Sequence, residues 1–314
     1  MKDTTSIPPV MSLILASLRH PRFAVALISG LAMPAANAVQ PPTDSSPEFD
    51  LSTNASFSTG GDLERDGVAG VVGEVEVARF EFEAGIGFRH GEEWRFRVGA
   101  YAHATELEFN DTAVPLPDTL DSYGLSLAAT KFFGGPAAEQ WRATLMLRPG
   151  VSSDSSGSSD DGFNVPVIMT LGNRVGRTFS WDVGFRFDAN SDDELLPVIG
   201  VQWDFRPEWK LSVGFPRTEV SYRLAERWTL KGGLRYQAGT YHVETALAPG
   251  LDDTYLEYRE IRVGGGVEWR LNDTFTMHLD GGLVADRSFD YFERDYELQG
   301  DSAAYFSFGL SARF

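Results

Sequence analysis

Apolar side chains recur along this chain at every second position, not at every third or fourth. Phe80, Phe82, Ala84, Ile86 and Phe88 alternate with Glu81, Glu83, Gly85, Gly87 and Arg89. Phe179, Trp181, Val183, Phe185 and Phe187 alternate with Ser180, Asp182, Gly184, Arg186 and Asp188, and Phe275, Met277, Leu279, Gly281 and Leu283 with Thr276, His278, Asp280 and Gly282. Successive side chains of an extended chain point to opposite faces, so period two predicts strands. Fourteen are expected, near 49–58, 71–89, 93–108, 121–133, 140–152, 163–173, 178–189, 195–205, 208–214, 217–224, 227–243, 255–271, 273–290 and 303–314. Twelve is the alternative if the first run or the short pair does not span.

The connections alternate in length. HGEE (90–93), GGPAAE (134–139), RPE (206–208), AER (225–227) and ND (272–273) are short. Between them come longer acidic loops at 60–70, 110–121, 152–162, 190–194, 246–254 and 292–302. Short turns at one end, long loops at the other and an even strand number predict an all-β fold: a single antiparallel up-and-down transmembrane β-barrel. The tight Gly214-Phe215-Pro216-Arg217 falls where a long loop is due.

Charge decides which face points in. Lys231 and Arg235 share a face with Gly233, Arg262 with Gly264, Gly266 and Glu268, and His278 and Asp280 with Gly282, while the opposite face carries the bulky apolar side chains. Eight strands already enclose a space that side chains just fill, so an inward apolar face could not fill twelve to fourteen. Turned outward, it makes a lipid-facing band, and each Lys or Arg kept off it avoids about 2 to 4 kcal/mol at the bilayer midplane. Trp94, Trp141, Trp203, Trp209, Trp228 and Trp269 lie near strand ends beside the short turns, as interfacial girdles do. A periplasmic β-sandwich is the competing reading.

Composition adds location and exclusions. Arg19, His20 and Arg22, the apolar run 23–33 and Ala36-Asn37-Ala38 have the charged, apolar and A-x-A order of a signal peptide, here over 1–38. Eleven apolar residues fall short of the roughly 20 a spanning helix needs. An apolar stretch at 10–18 leaves Met1 and Met11 both open as the true start. Residues 39–47, rich in Pro and Ser, read as a flexible periplasmic leader, and 48–314 as the barrel. The chain has no cysteine, and its net charge of −18 argues against a nucleic-acid partner.

Ser307, Gly309, Ala312 and the terminal Phe314 resemble the C-terminal assembly signal of bacterial outer-membrane proteins. That resemblance implies recognition by the barrel-assembly machinery and location in the outer membrane of a Gram-negative cell. The segment FRPEWKLSVGFPRTEVSYRLAERWTLKGGLRY (205–236) resembles an uncharacterised family of outer-membrane β-barrels known as a domain of unknown function. The resemblance implies a fold and a location, and brings no catalytic residues with it.

No G-x-S-x-G or H-E-x-x-H occurs, and none of His90, His103, His242 and His278 has a serine at a recognisable motif spacing, so no catalytic residue is assigned. The glycines at 264–266 precede no helix and read as permitting close backbone approach, not as a phosphate loop. The acidic loops, with Asp160, Asp161, Asp252 and Asp253 foremost, offer hard oxygen ligands for a divalent cation bridging lipopolysaccharide phosphates. Solvated loop charge is the plainer reading, and no metal or cofactor is expected.

Lumen-facing positions carry both signs: Arg95, Arg97, Arg142, Arg186, Lys231, Arg235, Arg262, Glu268, His278, Asp280 and Arg313, with Glu81, Glu83, Asp182 and Asp286 among the acids. They either line a water-filled path or form a salt-bridge network that plugs the barrel. The expected function is a monomeric channel or transporter for small polar or amphipathic solutes, contacting outer-membrane lipid and lipopolysaccharide, without covalent chemistry. The alternative is a structural barrel whose acidic loops meet envelope partners, and a membrane-embedded lipid hydrolase is more remote.

Overall fold

The structure is a computed structural model that describes residues 47–110, 114–133, 139–154, 160–244 and 247–314. The expected signal peptide and all of the leader but Pro47 lie outside the described residues. Strand segments run over β1 (Glu48–Arg65), β2 (Val71–His90), β3 (Trp94–Phe109), β4 (Thr119–Phe133), β5 (Glu139–Leu147), β6 (Gly150–Ser153), β7 (Phe163–Asn164), β8 (Val167–Val175) and β9 (Phe179–Phe187). They continue over β10 (Leu195–Arg206), β11 (Trp209–Gly214), β12 (Arg217–Ala225), β13 (Trp228–Val243), β14 (Thr254–Arg270), β15 (Phe275–Tyr291), β16 (Tyr296–Gly300) and β17 (Ala303–Arg313). β5 with β6, β7 with β8 and β16 with β17 each form one interrupted stave, which gives fourteen. Neighbouring staves are antiparallel, and β1 closes the barrel on the last one, from Asp50 opposite Arg313 to Ser58 opposite Tyr305 and on to Leu63 opposite Gly300.

The interruptions have local causes. Pro149 and Pro166 stand between β5 and β6 and between β7 and β8, and proline has no N–H for the ladder. Their carbonyls still accept, from Leu125 N at 2.8 Å and Arg148 N at 3.0 Å. Gly124 and Gly150 face each other there and leave room for the Tyr101 side chain: a Cβ on Gly150 would stand 2.2 Å from its hydroxyl. Two expected loops prove to be partly strand. β1 runs on through much of 60–70, and β16 occupies part of 292–302.

The rim is uneven. β1 to β4 and β13 to β15 have 15 to 20 residues each, whereas β8 to β12 have 6 to 12. The lowest stretch is the Gly214 to Arg217 turn: β12 stops where Arg217 faces Arg235, while β13 climbs on to Val243 beside β14. Above the short staves β6 crosses to β13, where Ser153 pairs in parallel with His242 and Asp154 N donates to the His242 carbonyl at 3.1 Å.

Exposed apolar side chains form an outer band, among them Val98, Leu125, Leu171, Val183, Ile199, Leu234, Val263, Leu279, Leu283, Phe306 and Phe308. All seven Trp lie near the short turns, with Trp228 stacked on Trp269 (5.0 Å, 4°) and Trp141 edge-on to Trp181 (5.5 Å, 89°). Asp286 is a correction to the expected lumen face. One extra residue on β15 opposite the Ile261–Arg262 step shifts the register, so Asp286 pairs with outward-facing Ile261 and is exposed.

Candidate functional site

The lumen has three tiers. The long-loop end is filled by an apolar core in which Leu63, Val75, Val77, Leu107, Leu120, Leu256, Tyr258, Phe289, Tyr291 and Leu298 are at most 4 % exposed. Two of the expected acidic loops contribute to it. Val114 and Leu116 fold in from one, where the Tyr291 hydroxyl donates to the Pro115 carbonyl at 2.8 Å, and Leu251 folds in from the other. Burial of this many large side chains gives the plug its stability, because each fully buried one contributes about 1.5 to 3 kcal/mol.

Beneath the plug lies a buried ionic layer. Glu260 accepts from Arg262 Nε at 2.8 Å through one oxygen and from Arg287 Nε at 2.8 Å through the other, and Arg287 also donates to Ser58 Oγ at 2.5 Å. Arg79 pairs with Glu81 at 3.0 Å, and Asn54 Nδ2 donates to Glu81 at 3.2 Å. Charges out of reach of water persist when each is paired and hydrogen-bonded.

Below this layer the barrel is hollow. A cavity of about 720 Å³ is bounded by β1, β11 to β15 and β17, with Lys231, Arg235, Glu268, His278, Asp280 and Arg313 in its wall. A second, of about 640 Å³, lies against β8 to β12 beside Arg174, Gln202, Asp204 and Arg223, and shares Glu208, Lys210 and Arg223 with the first. Both reach turn residues at the short-turn mouth, Pro207 and Thr178 in one and Asp273 and Thr274 in the other. A further space of about 40 Å³ lies at its upper end between Arg217, Arg235, Arg262, Asp280 and Tyr305.

All eleven residues expected at lumen positions point inward, but they divide by height. Arg262 belongs to the ionic layer. Arg95 pairs with Glu48 at 2.7 Å, Arg97 with Asp50 at 2.5 Å, Arg142 with Asp182 at 2.5 Å, Arg186 with Asp188, and Lys231 with Glu268 at 2.5 Å. Arg217, Arg235 and Arg262 stand directly opposite one another across β12, β13 and β14. The apolar plug and the hollow space occupy different halves of one lumen.

A profile for the domain of unknown function DUF6268 matches residues 95–314, more than half of the chain. The chain belongs to this family. No curated protein matches it. Among solved structures, this DUF6268 barrel is similar to an outer-membrane channel from Pseudomonas putida F1, at 11 % identity and TM-score 0.50 over 90 % of this chain and 100 % of that one. It is also similar to a TodX monoaromatic hydrocarbon channel mutant lacking S2 and S3 (12 % identity, TM-score 0.49, 91 % and 96 % covered). A FadL homologue from Pseudomonas aeruginosa follows (10 %, 0.44, 85 % and 90 %). At these identities the likeness shows the fold: an outer-membrane-type β-barrel.

One chain of contacts in the DUF6268 lumen imitates a catalytic relay. His278 Nε2 is 3.2 Å from Ser311 Oγ, and His278 Nδ1 is 3.6 Å from Glu268 Oε2. Glu268 is held more closely by Lys231, and Ser311 Oγ also lies 3.5 Å from the Thr276 carbonyl. The adjacent backbone is paired in the β14–β15 and β15–β17 ladders. The contacts are those of a lumenal hydrogen-bond network.

The sequence reading missed the ionic centre. Glu260, Arg287 and Ser58 carry no motif, and only the alternation of Glu260 with Arg262 places it inward. It also missed the apolar VPLP (114–117) inside an acidic loop, which was the available signal for an inward fold. The acidic candidates separate: Asp161 and Asp253 converge with His242, their ligand atoms all within 4.8 Å of one another, while Asp160 and Asp252 are not in that group. Gly264 supports the close-approach reading of its glycine run, since a Cβ there would stand 2.6 Å from the Tyr305 hydroxyl.

Proposed function

We propose that this protein is an outer-membrane channel or transporter for small polar or amphipathic solutes, acting as a monomer without a covalent step. The observation that carries the reading is the hollow, charge-paired lower lumen of about 720 Å³, open at the short-turn mouth. Paired charges of both signs hold water and orient a dipolar solute without trapping a single ion. The apolar plug bars the straight route through the long-loop end. An amphipathic solute therefore enters over the lowest wall, at the Gly214 to Arg217 turn, and reaches the space beside Arg217 and Arg235 below the plug.

The experiment is single-channel recording of the purified barrel in planar bilayers, with solute uptake into liposomes alongside. Steady conductance, or uptake that changes with Lys231→Ala or Arg235→Ala, is the expected result; a barrel silent in both assays overturns it. The plug itself favours the second reading, a structural barrel, and silence in both assays is the outcome that reading requires.

A further inference from the structure

We propose that Asp161, His242 and Asp253 bind one transition-metal dication of the zinc class, which clamps the β6–β7 connection to the head of β13. This site is independent of whether the lumen conducts. The three residues come from three segments: Asp161 from a short 3-10 turn before β7, His242 from the end of β13 and Asp253 from the loop before β14. His242 is 4 % exposed, while both carboxylates face solvent.

The donor set selects the ion class. One imidazole and two carboxylates suit Zn²⁺ and its first-row neighbours, whereas Ca²⁺ and Mg²⁺ take oxygen ligands. His242 Nε2 and Asp253 Oδ1 are 3.1 Å apart. Two ligands on one tetrahedral Zn²⁺, with bonds of about 2.0 to 2.2 Å, lie about 3.4 Å from each other. The remaining spread is taken up by rotation of the exposed carboxylates about a fixed ring, and water fills the open position.

Each ligand is held by a neighbour, as metal sites require. The Tyr255 ring packs edge-on to the His242 imidazole (5.4 Å, 69°), and its hydroxyl donates to the Asp161 carbonyl at 2.9 Å. Asp154 N fixes the His242 carbonyl. Arg294 donates to the carbonyls of Asp252 and Asp253 at 3.3 and 3.2 Å, and Asp253 has φ of +50°. Asp154, Asp252 and Glu293 add negative charge around the cluster, against Arg294.

The position gives the ion something to do. β6 and β13 are not neighbours in the barrel order, yet they meet at one parallel bridge, Ser153 with His242. A single bridge is a weak seam in a rim that must hold a loop over the short staves. Metal ligation across it joins the two sides.

The test uses the full barrel in detergent, stripped with chelator, and titrated with ZnCl₂ by calorimetry with metal analysis after dialysis. Expected are one Zn²⁺ per chain at micromolar affinity or tighter and a saturable rise in thermal midpoint. Asp161→Asn and His242→Gln should each weaken binding at least tenfold, while Asp160→Asn, beside the cluster, should leave it unchanged. Should His242→Gln fail to fold, the solvent-exposed Asp161→Asn still decides. Failure of the wild type to bind stoichiometrically, unchanged affinity in Asp161→Asn, or an equal response to CaCl₂ would each overturn the site.

Discussion

Arg287 Nε donates to Glu260 Oε1 at 2.8 Å, and neither side chain has exposed surface. Removing one partner strands the other charge. Glu260→Gln should therefore cost about 3 to 5 kcal/mol in unfolding free energy, whereas replacing Glu260, Arg262 and Arg287 together by Met should cost far less. Urea unfolding in detergent micelles, followed by tryptophan fluorescence, measures both, and equal losses would refute the pairing.

The orientation of the wall predicts a contrast on β15. Leu279 is exposed in the outer band and Thr276 lines the cavity. Leu279→Arg should destabilise the barrel by about 2 to 4 kcal/mol in lipid, and Thr276→Arg by less than about 1 kcal/mol. Reversible folding into bilayers separates them, and a larger loss at Thr276 would turn the wall inside out.

Tyr291 anchors the loop that plugs the lumen. Tyr291→Phe removes the donor to the Pro115 carbonyl and should cost about 1 to 3 kcal/mol. Limited proteolysis of whole cells should then cut within 110–118 at least several-fold faster than in the wild type; an unchanged rate would show that apolar packing alone holds the loop.

Phe314 is bound at both backbone atoms by Phe49, at 3.1 and 2.8 Å, and its ring meets Phe275 edge-on at 6.1 Å. Phe314→Ala should lower the yield of heat-modifiable, membrane-inserted barrel more than Phe308→Ala, which removes another exposed ring of the outer band. Equal yields would refute the C-terminal assembly signal that the sequence resemblance implies.

Strand positions were legible because lipid-facing alternation is a strong constraint: the runs around Phe80, Phe179 and Phe275 each became β2, β9 and β15. What period two cannot show is how high a strand climbs. β1 reaches Arg65 because Leu63 finds the inner core beside Leu298, a contact between segments far apart in sequence. The register shift on β15 was equally hidden, since one extra residue leaves the local alternation intact and only its pairing with Ile261 exposes Asp286. At the site, parity alone places residues on the inner face, but height decides which of them are sealed, as Arg262 is, and which meet the cavity, as Lys231 does.

Along β14 the even-numbered positions face inward throughout, yet what they carry changes at Arg262. Toward the short turns the inside is Gly264, Gly266 and Glu268 and the outside Val263, Val267 and Trp269; toward the loops the inside is Leu256 and Tyr258 and the outside Glu257 and Arg259. One strand is thus written first as a water-soluble protein and then as its inverse. Arg262 is the residue where the two scripts change places: below it the strand turns its apolar side outward, and above it the strand closes over an apolar interior of its own.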